Sequence, residues 1–480
     1  MIKKDDILEL QIESYAFEGK GIAKIDLPTE PGSEETGKKF VIFVNGSYPG
    51  DVVKAKIVKK RNSYADAVVI EIVSASEQRT SAPCKYFGTC GGCKQQNLNY
   101  SAQLQHKQDQ VKDIFERLGA LKGFTMESIE ESKEIFRYRN KMEFSFADKR
   151  WLTKDEIGND EIIDRNFALG LHIPRIFDKV LDIDECYLQP EVCDGILNFT
   201  RDFFKEKNST IYSTKTHVGY LRNLIIRKST HTNDLMVNIV TSAEDEEMMN
   251  ELTSLITKQF PGISTVINNI NQKKSQVAVG DYEKVFYGAG FNYDLIGKYK
   301  FRISANSFFQ TNTLQAEKLY QCALDYAELK GDEIVYDLYS GAGTIAIFIS
   351  KHAKKIYGFE SVAPAVEDGL TNLRLNGINN VEFIKADLNK SFLPIIKESN
   401  ISKPDVIIAD PPRSGMNPKT VNDILSLSPQ KIVYVSCNPA TQVRDIKLLA
   451  DANYKLVKIR PVDMFPHTYH IENVALLVRI

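Results

Sequence analysis

Five times after residue 300 the chain repeats one unit: a short apolar run, a polar residue where the run ends, then a helical stretch. Strands alternating with helices in this way fold as a doubly wound parallel sheet covered on both faces. The first run, Glu333-Ile-Val-Tyr-Asp337-Leu-Tyr339, enters the glycine turn Ser340-Gly341-Ala342-Gly343-Thr344. The next four end at Glu360, Asp387, Asp410 and Cys437. Tyr454 to Pro461 and Glu472 to Ile480 supply two more strands, so the expectation is a seven-stranded sheet with an antiparallel edge. Ligands of such sheets sit outside the carboxyl ends of the strands. A lone thiol, Cys437, stands at one of those ends, closed by the turn Asn438-Pro439. A single cysteine can be a small buried hydrophobe, but this one is placed for chemistry.

The run Gly341-Ala-Gly343-Thr-Ile-Ala346 fits the dinucleotide fingerprint, and Glu360 follows about twenty positions on, where a ribose hydroxyl pair needs an acid. A nicotinamide dehydrogenase is therefore one reading. Against it, Asp387 is placed to accept from an adenine amino group, and Asp410-Pro-Pro-Arg413 makes a rigid polar turn beside the substrate. Adenosine without a pyrophosphate suits that arrangement better, which points to S-adenosylmethionine.

With 480 residues, 43% hydrophobic and 26% charged, the chain has room for several domains of ordinary globular composition. It opens Met-Ile-Lys-Lys-Asp-Asp without an apolar signal core, and no apolar run reaches membrane-spanning length. The expectation is a cytoplasmic monomer with no membrane contact. A net charge of −2 gives no global attraction for polyanions, so a nucleic acid would have to be held by local basic patches.

Residues 1–76 read as a small β domain of four or five short strands, an OB-like barrel of the kind used on oligonucleotides. A polar insertion from Pro28 to Lys39 interrupts it as a loop. Lys54, Lys56, Lys59, Lys60 and Arg61 form a basic stripe, either an RNA contact or a solvated face.

Residues 77–300 read as a central α+β domain, and 301–480 as the catalytic domain. The central segment opens with Cys84-Lys-Tyr-Phe-Gly-Thr-Cys90-Gly-Gly-Cys93. Clustered cysteines in a chain without disulfide context bind metal or do chemistry. Zinc sites favour two closely spaced pairs; this spacing favours an iron–sulfur cubane. A fourth ligand must come from afar: Cys186 offers one, and Cys193 competes from an apolar helical pattern. A helix follows from Tyr100 to Gly119, capped at Ser101, with Leu104, Val111, Ile114, Phe115 and Leu118 on one face. Two strands, Arg137 to Phe146 with cations Arg137, Arg139 and Lys141, and Gly219 to Arg227 with Arg222 and Arg227, mix cations with aromatics. They are readable either as an RNA platform or as a sheet with one wet face.

The motifs Asp337-Leu-Tyr-Ser-Gly-Ala-Gly-Thr344, Asp410-Pro-Pro-Arg413, Val435-Ser-Cys437-Asn-Pro439 and Phe465-Pro-His467-Thr-x-His470-x-Glu472 resemble the RNA uracil-C5 methyltransferases over nearly the whole chain. With an amino-terminal TRAM domain and a cysteine cluster, the chain resembles the 23S ribosomal RNA branch; the transfer RNA branch, lacking both, is less similar. The resemblance implies a [4Fe–4S] cluster on Cys84, Cys90, Cys93 and Cys186. It implies S-adenosylmethionine held by Gln310, Tyr339, Glu360 and Asp410, with Thr344 and Asp387 at further cofactor positions. It implies Cys437 as nucleophile and Glu472 as base. Thr344 departs from the asparagine of some relatives, and Tyr339 replaces phenylalanine. The helix at 101–119 packs on the catalytic domain in such proteins.

The chemistry asks for these residue types independently. Uracil C5 is too weak a nucleophile to attack a sulfonium methyl. A thiolate adding at C6 makes an enolate at C5, dividing one hard step into easier ones. A base must then remove the C5 proton; Glu472, His467, His470 and Asp410 are the candidates. The target uridine must leave its stack to enter such a pocket. Other readings are a transfer RNA uracil-C5 methyltransferase, an amino methyltransferase working through Asp410-Pro-Pro, and a redox-sensing RNA-binding protein without catalysis.

Overall fold

The computed structural model describes residues 2–26, 39–153, 156–157, 165–174, 176–274 and 279–480. The insertion expected at 28–39 lies outside them except for Lys39. No helix among the described residues is long and apolar enough to cross a membrane.

At the amino terminus, alternating side chains build the barrel. Val53, Ala55 and Ile57 of the strand Val52–Lys60 point inward against Leu10, Ile42 and Val44, and Lys54 and Lys56 point outward. Six strands take part, with Ser14–Ala16 and Lys20–Asp26 forming the hairpin at one edge. The basic stripe divides in two. Lys54 is paired with Glu71 and Lys56 with Asp5, each at 2.9 Å. Lys59, Lys60 and Arg61 are exposed and have no ion pair among the described residues.

The central segment is an eight-stranded sheet, and its middle strands are buried on both faces. This overturns the reading of Arg222 and Arg227 as RNA-facing cations. Leu221–Lys228 lies between Lys141–Ala147 and Leu235–Thr241. Arg222 stacks on Tyr212 at 4.1 Å and donates to the carbonyls of Asn271 and Lys273. Arg227, 2% exposed, donates to the carbonyl of Ser307 at 3.1 Å. Arg137 also differs from expectation: the strand begins only at Lys141, and Arg137, at φ +58°, bonds Asp194 and the carbonyls of Cys186 and Gln189. These guanidiniums satisfy carbonyls and a carboxylate of the fold.

The carboxy-terminal sheet has the expected seven strands plus one. Parallel strands follow the order Val381–Lys385, Lys355–Glu360, Ile334–Leu338, Val406–Ala409, Lys431–Ser436. Glu472–Arg479 then runs antiparallel between Lys431–Ser436 and Tyr454–Val462. The eighth strand, Thr125–Met126, pairs with the outer edge and comes from the central segment. Strand order reverses beside Ile334–Leu338, which opens the crevice where such sheets bind ligands.

A helix from the central segment belongs to this core as well. Tyr100–Asp113 is capped by Asn99, whose side chain accepts from Ala102 N at 2.9 Å; Ser101, the expected cap, sits inside the first turn. Val111, Ile114 and Phe115 pack with Tyr336, Ile432 and Ile459 of the catalytic sheet. The last turn, Ile114–Leu118, is a π-helix. Its wider turn moves Leu118 off the apolar face, and it is 64% exposed rather than packed. Lys107 of the same helix, 1% exposed in its side chain, reaches the buried carboxylate of Asp463 at 2.6 Å.

Candidate active site

The antiparallel pair Lys431–Ser436 and Glu472–Arg479 ends with Ser436 opposite Asn473. One step further places Cys437 across from Glu472. Both line a cavity of about 510 Å³ together with Asp410, Arg413, Gln310 and His470. Asn438 fixes the turn after the thiol: its side chain accepts from Ala440 N at 3.1 Å and caps the helix Pro439–Ala450.

A second cavity of about 140 Å³ adjoins the first and shares Tyr339 and Pro412 with it. Glu360 and Asp387 line it. Glu360 Oε2 accepts from Gly341 N at 2.9 Å, and Oε1 accepts from Ser361 N and Val362 N at 2.7 Å. That leaves its carboxylate fixed at the glycine turn. Asp387 is braced by Asn389, whose backbone N–H donates to Oδ1 at 3.0 Å and holds its carboxyl below the usual range. Tyr339 adopts φ +65°, a left-handed conformation rare for a bulky residue, and this is how one ring borders both cavities. Gly343, at φ +78°, has no room for a side chain, since a Cβ would stand 2.3 Å from the ring of Phe383. Thr344 opens the next helix, and its Oγ1 lies 3.0 Å from the Tyr320 hydroxyl. Gln310 is fixed through its carbonyl, which accepts from Asn140 Nδ2 at 2.9 Å.

Burial sets the electrostatics. It pushes Asp410 up to about 7 and Asp337 up to about 8, and it holds Glu472 well above the usual carboxylate range. Burial also pushes the Cys437 thiol up to about 11, with the charges of Glu472 and Asp410 adding to it. Arg413 acts the other way on both Cys437 and Glu472. Its Nη2 donates to His470 Nδ1 at 2.6 Å, and burial with that guanidinium pushes His470 down to about 4. His470 is therefore a neutral acceptor. A cation entering between Asp410 and Cys437 would be attracted by the carboxyls and would favour thiolate and carboxylate alike.

His467 is structural. It stacks on Phe136 at 4.2 Å, takes φ +64°, and its Nδ1 lies 3.2 Å from Gln103 Nε2. Its carbonyl accepts from both Lys94 N and Gln95 N, directly after Cys93. The loop that delivers Glu472 is thus tied to the cysteine segment and to the helix Tyr100–Asp113.

Cys84, Cys90, Cys93 and Cys186 line one cavity walled by Met142, Leu171, Ile183 and Leu188. Burial pushes Cys93 up to about 12 and Cys186 up to about 11, and raises Cys84 and Cys90 too. Cys193 packs in the core of the central segment, 2% exposed, and does not line that cavity. Among the described residues no three His, Cys, Asp or Glu side chains are set to hold a single metal ion.

Two cavity residues, and one core residue behind the glycine turn, escaped the sequence reading. Phe308, 74% exposed, and Arg139 form part of the cavity lining. The doubled aromatic in Ser307-Phe308-Phe309-Gln310 was the available signal for the first; Arg139 had been grouped with a strand it only precedes. Tyr320 lies in the helix Thr313–Ala327, whose sequence gives no sign that its hydroxyl meets Thr344.

Comparison with known proteins places the chain among the RNA methyltransferases. A relative from Chlorobaculum tepidum named as an uncharacterized RNA methyltransferase is 41% identical over 480 residues, 99% of this chain and 97% of that one. Another from Bacteroides thetaiotaomicron is 42% identical over 466 residues, 96% and 99% of the two chains. The chain belongs to the tRNA (uracil-5-)-methyltransferase family, whose model matches residues 229–480; residues 6–70 match the TRAM domain. Among solved structures, the Pyrococcus abyssi tRNA (uracil-54, C5)-methyltransferase in complex with S-adenosyl-L-homocysteine is similar with a TM-score of 0.72 and 29% identity, over 98% of this chain and 99% of that one.

Proposed function

We propose that this protein transfers a methyl group from S-adenosylmethionine to C5 of a uracil in RNA, giving 5-methyluridine, with 23S ribosomal RNA as the substrate. The observation that carries this is that Cys437 and Glu472 line one cavity, which adjoins a second, acid-lined one. In this reading the smaller cavity takes adenosine, with Glu360 at the ribose hydroxyls and Asp387 at the adenine amino group. Tyr339 borders the path between adenosine and the methyl group, Gln310 and Thr344 serve the rest of the donor, and Asp410 faces the sulfonium. The bound donor supplies an electrophilic methyl carbon.

Cys437 adds as thiolate to C6 of a flipped-out uracil, and the electron pair moves to C5 and O4. Arg413 supports the thiolate. C5 takes the methyl carbon as its bond to the donor sulfur breaks, the electron pair staying on the sulfur of S-adenosylhomocysteine. An ionised Glu472 then accepts the C5 proton, so that the C5–H electrons re-form the C5–C6 double bond and the Cys437–C6 bond breaks. A carboxyl raised by burial is a stronger base once ionised than an exposed one. We further propose that Cys84, Cys90, Cys93 and Cys186 hold a [4Fe–4S] cluster, supported by their shared cavity. Residues 1–76 would then grip RNA, 77–300 carry the cluster, and 301–480 perform the transfer.

A transfer RNA substrate is the second reading, favoured by the full-length likeness to the Pyrococcus enzyme. Mapping 5-methyluridine in ribosomal and transfer RNA of cells lacking the protein decides between them. Loss confined to 23S ribosomal RNA is the expected result. Loss confined to transfer RNA selects the second reading, and no loss in either removes both.

A further inference from the structure

Tyr320 is 1% exposed, yet it carries a hydroxyl into the polar end of the catalytic core. That hydroxyl lies 3.0 Å from Thr344 Oγ1. A buried phenol needs one partner. This one meets Thr344, on a different helix. Thr344 opens the helix after the glycine turn, and no side chain caps that helix.

Two neighbouring polar atoms await a partner. Asp337 Oδ1 and Ser340 Oγ are buried and have no hydrogen bond among the described residues. Asp337 is 0% exposed, and its other oxygen accepts from Ala346 N at 3.1 Å. A buried, unpaired carboxylate oxygen is costly unless something fills the gap, and an ammonium group would. If adenosine occupies the Glu360–Asp387 cavity and the sulfonium faces Asp410, the amino-acid arm of the donor must leave past the glycine turn. Ser340 and Thr344 belong to that turn, and Asp337 accepts from Ala346 N just beyond it.

We propose that Tyr320 is a positioning residue whose hydroxyl aligns Thr344 to receive the amino-acid arm of S-adenosylmethionine. The inference rests on the cofactor reading above. It distinguishes the two ends of the ligand: Glu360 and Asp387 hold the nucleoside, and the Tyr320 group acts on the arm alone.

The test is calorimetric titration of the full-length protein with two ligands. S-Adenosylhomocysteine carries the arm; 5′-methylthioadenosine has the same nucleoside and thioether without it. Tyr320→Phe, which keeps the packed ring, should weaken the first about five- to tenfold, the size of one hydrogen bond, and shift the second by less than about twofold. Thr344→Val should do the same, and the double variant should lose no more than either single one. Equal weakening of both ligands, or unchanged binding of S-adenosylhomocysteine, would reduce Tyr320 to a core residue and overturn the proposal. If Tyr320→Phe does not fold, Thr344→Val reads the same two outcomes alone. A wild-type protein that binds neither ligand would remove the cofactor reading, and this inference with it.

Discussion

Cys437 and Glu472 each lie one step beyond the Ser436–Asn473 ladder pair and line the same cavity. If the first attacks C6 and the second removes the C5 proton, their variants fail differently. Cys437→Ala should lower methyl transfer by about four orders of magnitude and leave cofactor affinity near normal. Glu472→Gln should methylate and then stall, leaving a denaturant-resistant enzyme–RNA adduct that carries the methyl group. A slow gel band or mass shift that requires both Cys437 and S-adenosylmethionine reports it. Normal turnover by Glu472→Gln, with the adduct appearing instead in His470→Gln, would move the base to His470.

Arg413 is the cation that opposes the upward push on the Cys437 thiol. Arg413→Gln should therefore slow alkylation of Cys437 by iodoacetamide at pH 8 and move its pH profile upward by about one unit. Peptide mass spectrometry isolates Cys437 from the other six thiols. An unmoved profile would assign Arg413 to RNA or to His470 alone.

Asp337 makes stability depend on pH. Its carboxyl is held up to about 8 in the fold, against an ordinary value of 3.8. The native state thus keeps a proton that the unfolded chain releases, and stability is lost as pH rises from about 4 to about 8. Asp337→Asn can still accept from Ala346 N and removes the ionisation. It should be the more stable protein at pH 9 by about 2–4 kcal/mol and no more stable at pH 4, read from urea melts. Parallel pH profiles for the two proteins would mean that Asp337 ionises without cost.

The strand ends were legible because apolar runs give way to Glu360, Asp387, Asp410 and Cys437, and the central strands Val406–Ala409 and Lys431–Ser436 are buried along nearly their whole length. The seven-strand sheet and its antiparallel edge followed from the same grammar. Arg222 and Arg227 misled because period-two patterning reports which residues are polar, and a buried guanidinium that satisfies backbone carbonyls is polar too. Leu118 misled because a single π turn, which no residue announces, shifts the helical face. The Lys107–Asp463 pair and the bonds from Lys94 and Gln95 to His467 span more than three hundred residues of sequence, where local pattern carries no information.

The cysteine cavity predicts a brown protein when purified without air, with about four irons per chain. Cys186→Ser should lose the iron and Cys193→Ser should keep it, because Cys193 packs away from the cavity. Stoichiometric zinc without visible absorbance would replace the cluster reading.

In the barrel's basic stripe, Lys59, Lys60 and Arg61 are the cations left without an ion pair among the described residues once Lys54 and Lys56 pair with acids. Replacing the three with glutamine should weaken RNA binding and lower its salt slope by about two to three, as fewer counterions are released. Cofactor affinity should not move. An unchanged slope would make this end of the strand an ordinary solvated face.

The position of Glu472–Arg479 also bears on how the protein is made. This strand follows every other strand in chain order, yet it inserts between Lys431–Ser436 and Tyr454–Val462 instead of adding to an edge. Until it emerges from the ribosome, the nascent sheet carries an open groove lined by two unpaired strand edges, a template for wrong pairing. The residue that opens the strand is Glu472. Closure of the sheet and arrival of the carboxyl opposite Cys437 are therefore a single event, and a chain stalled before it would hold the thiol without its partner.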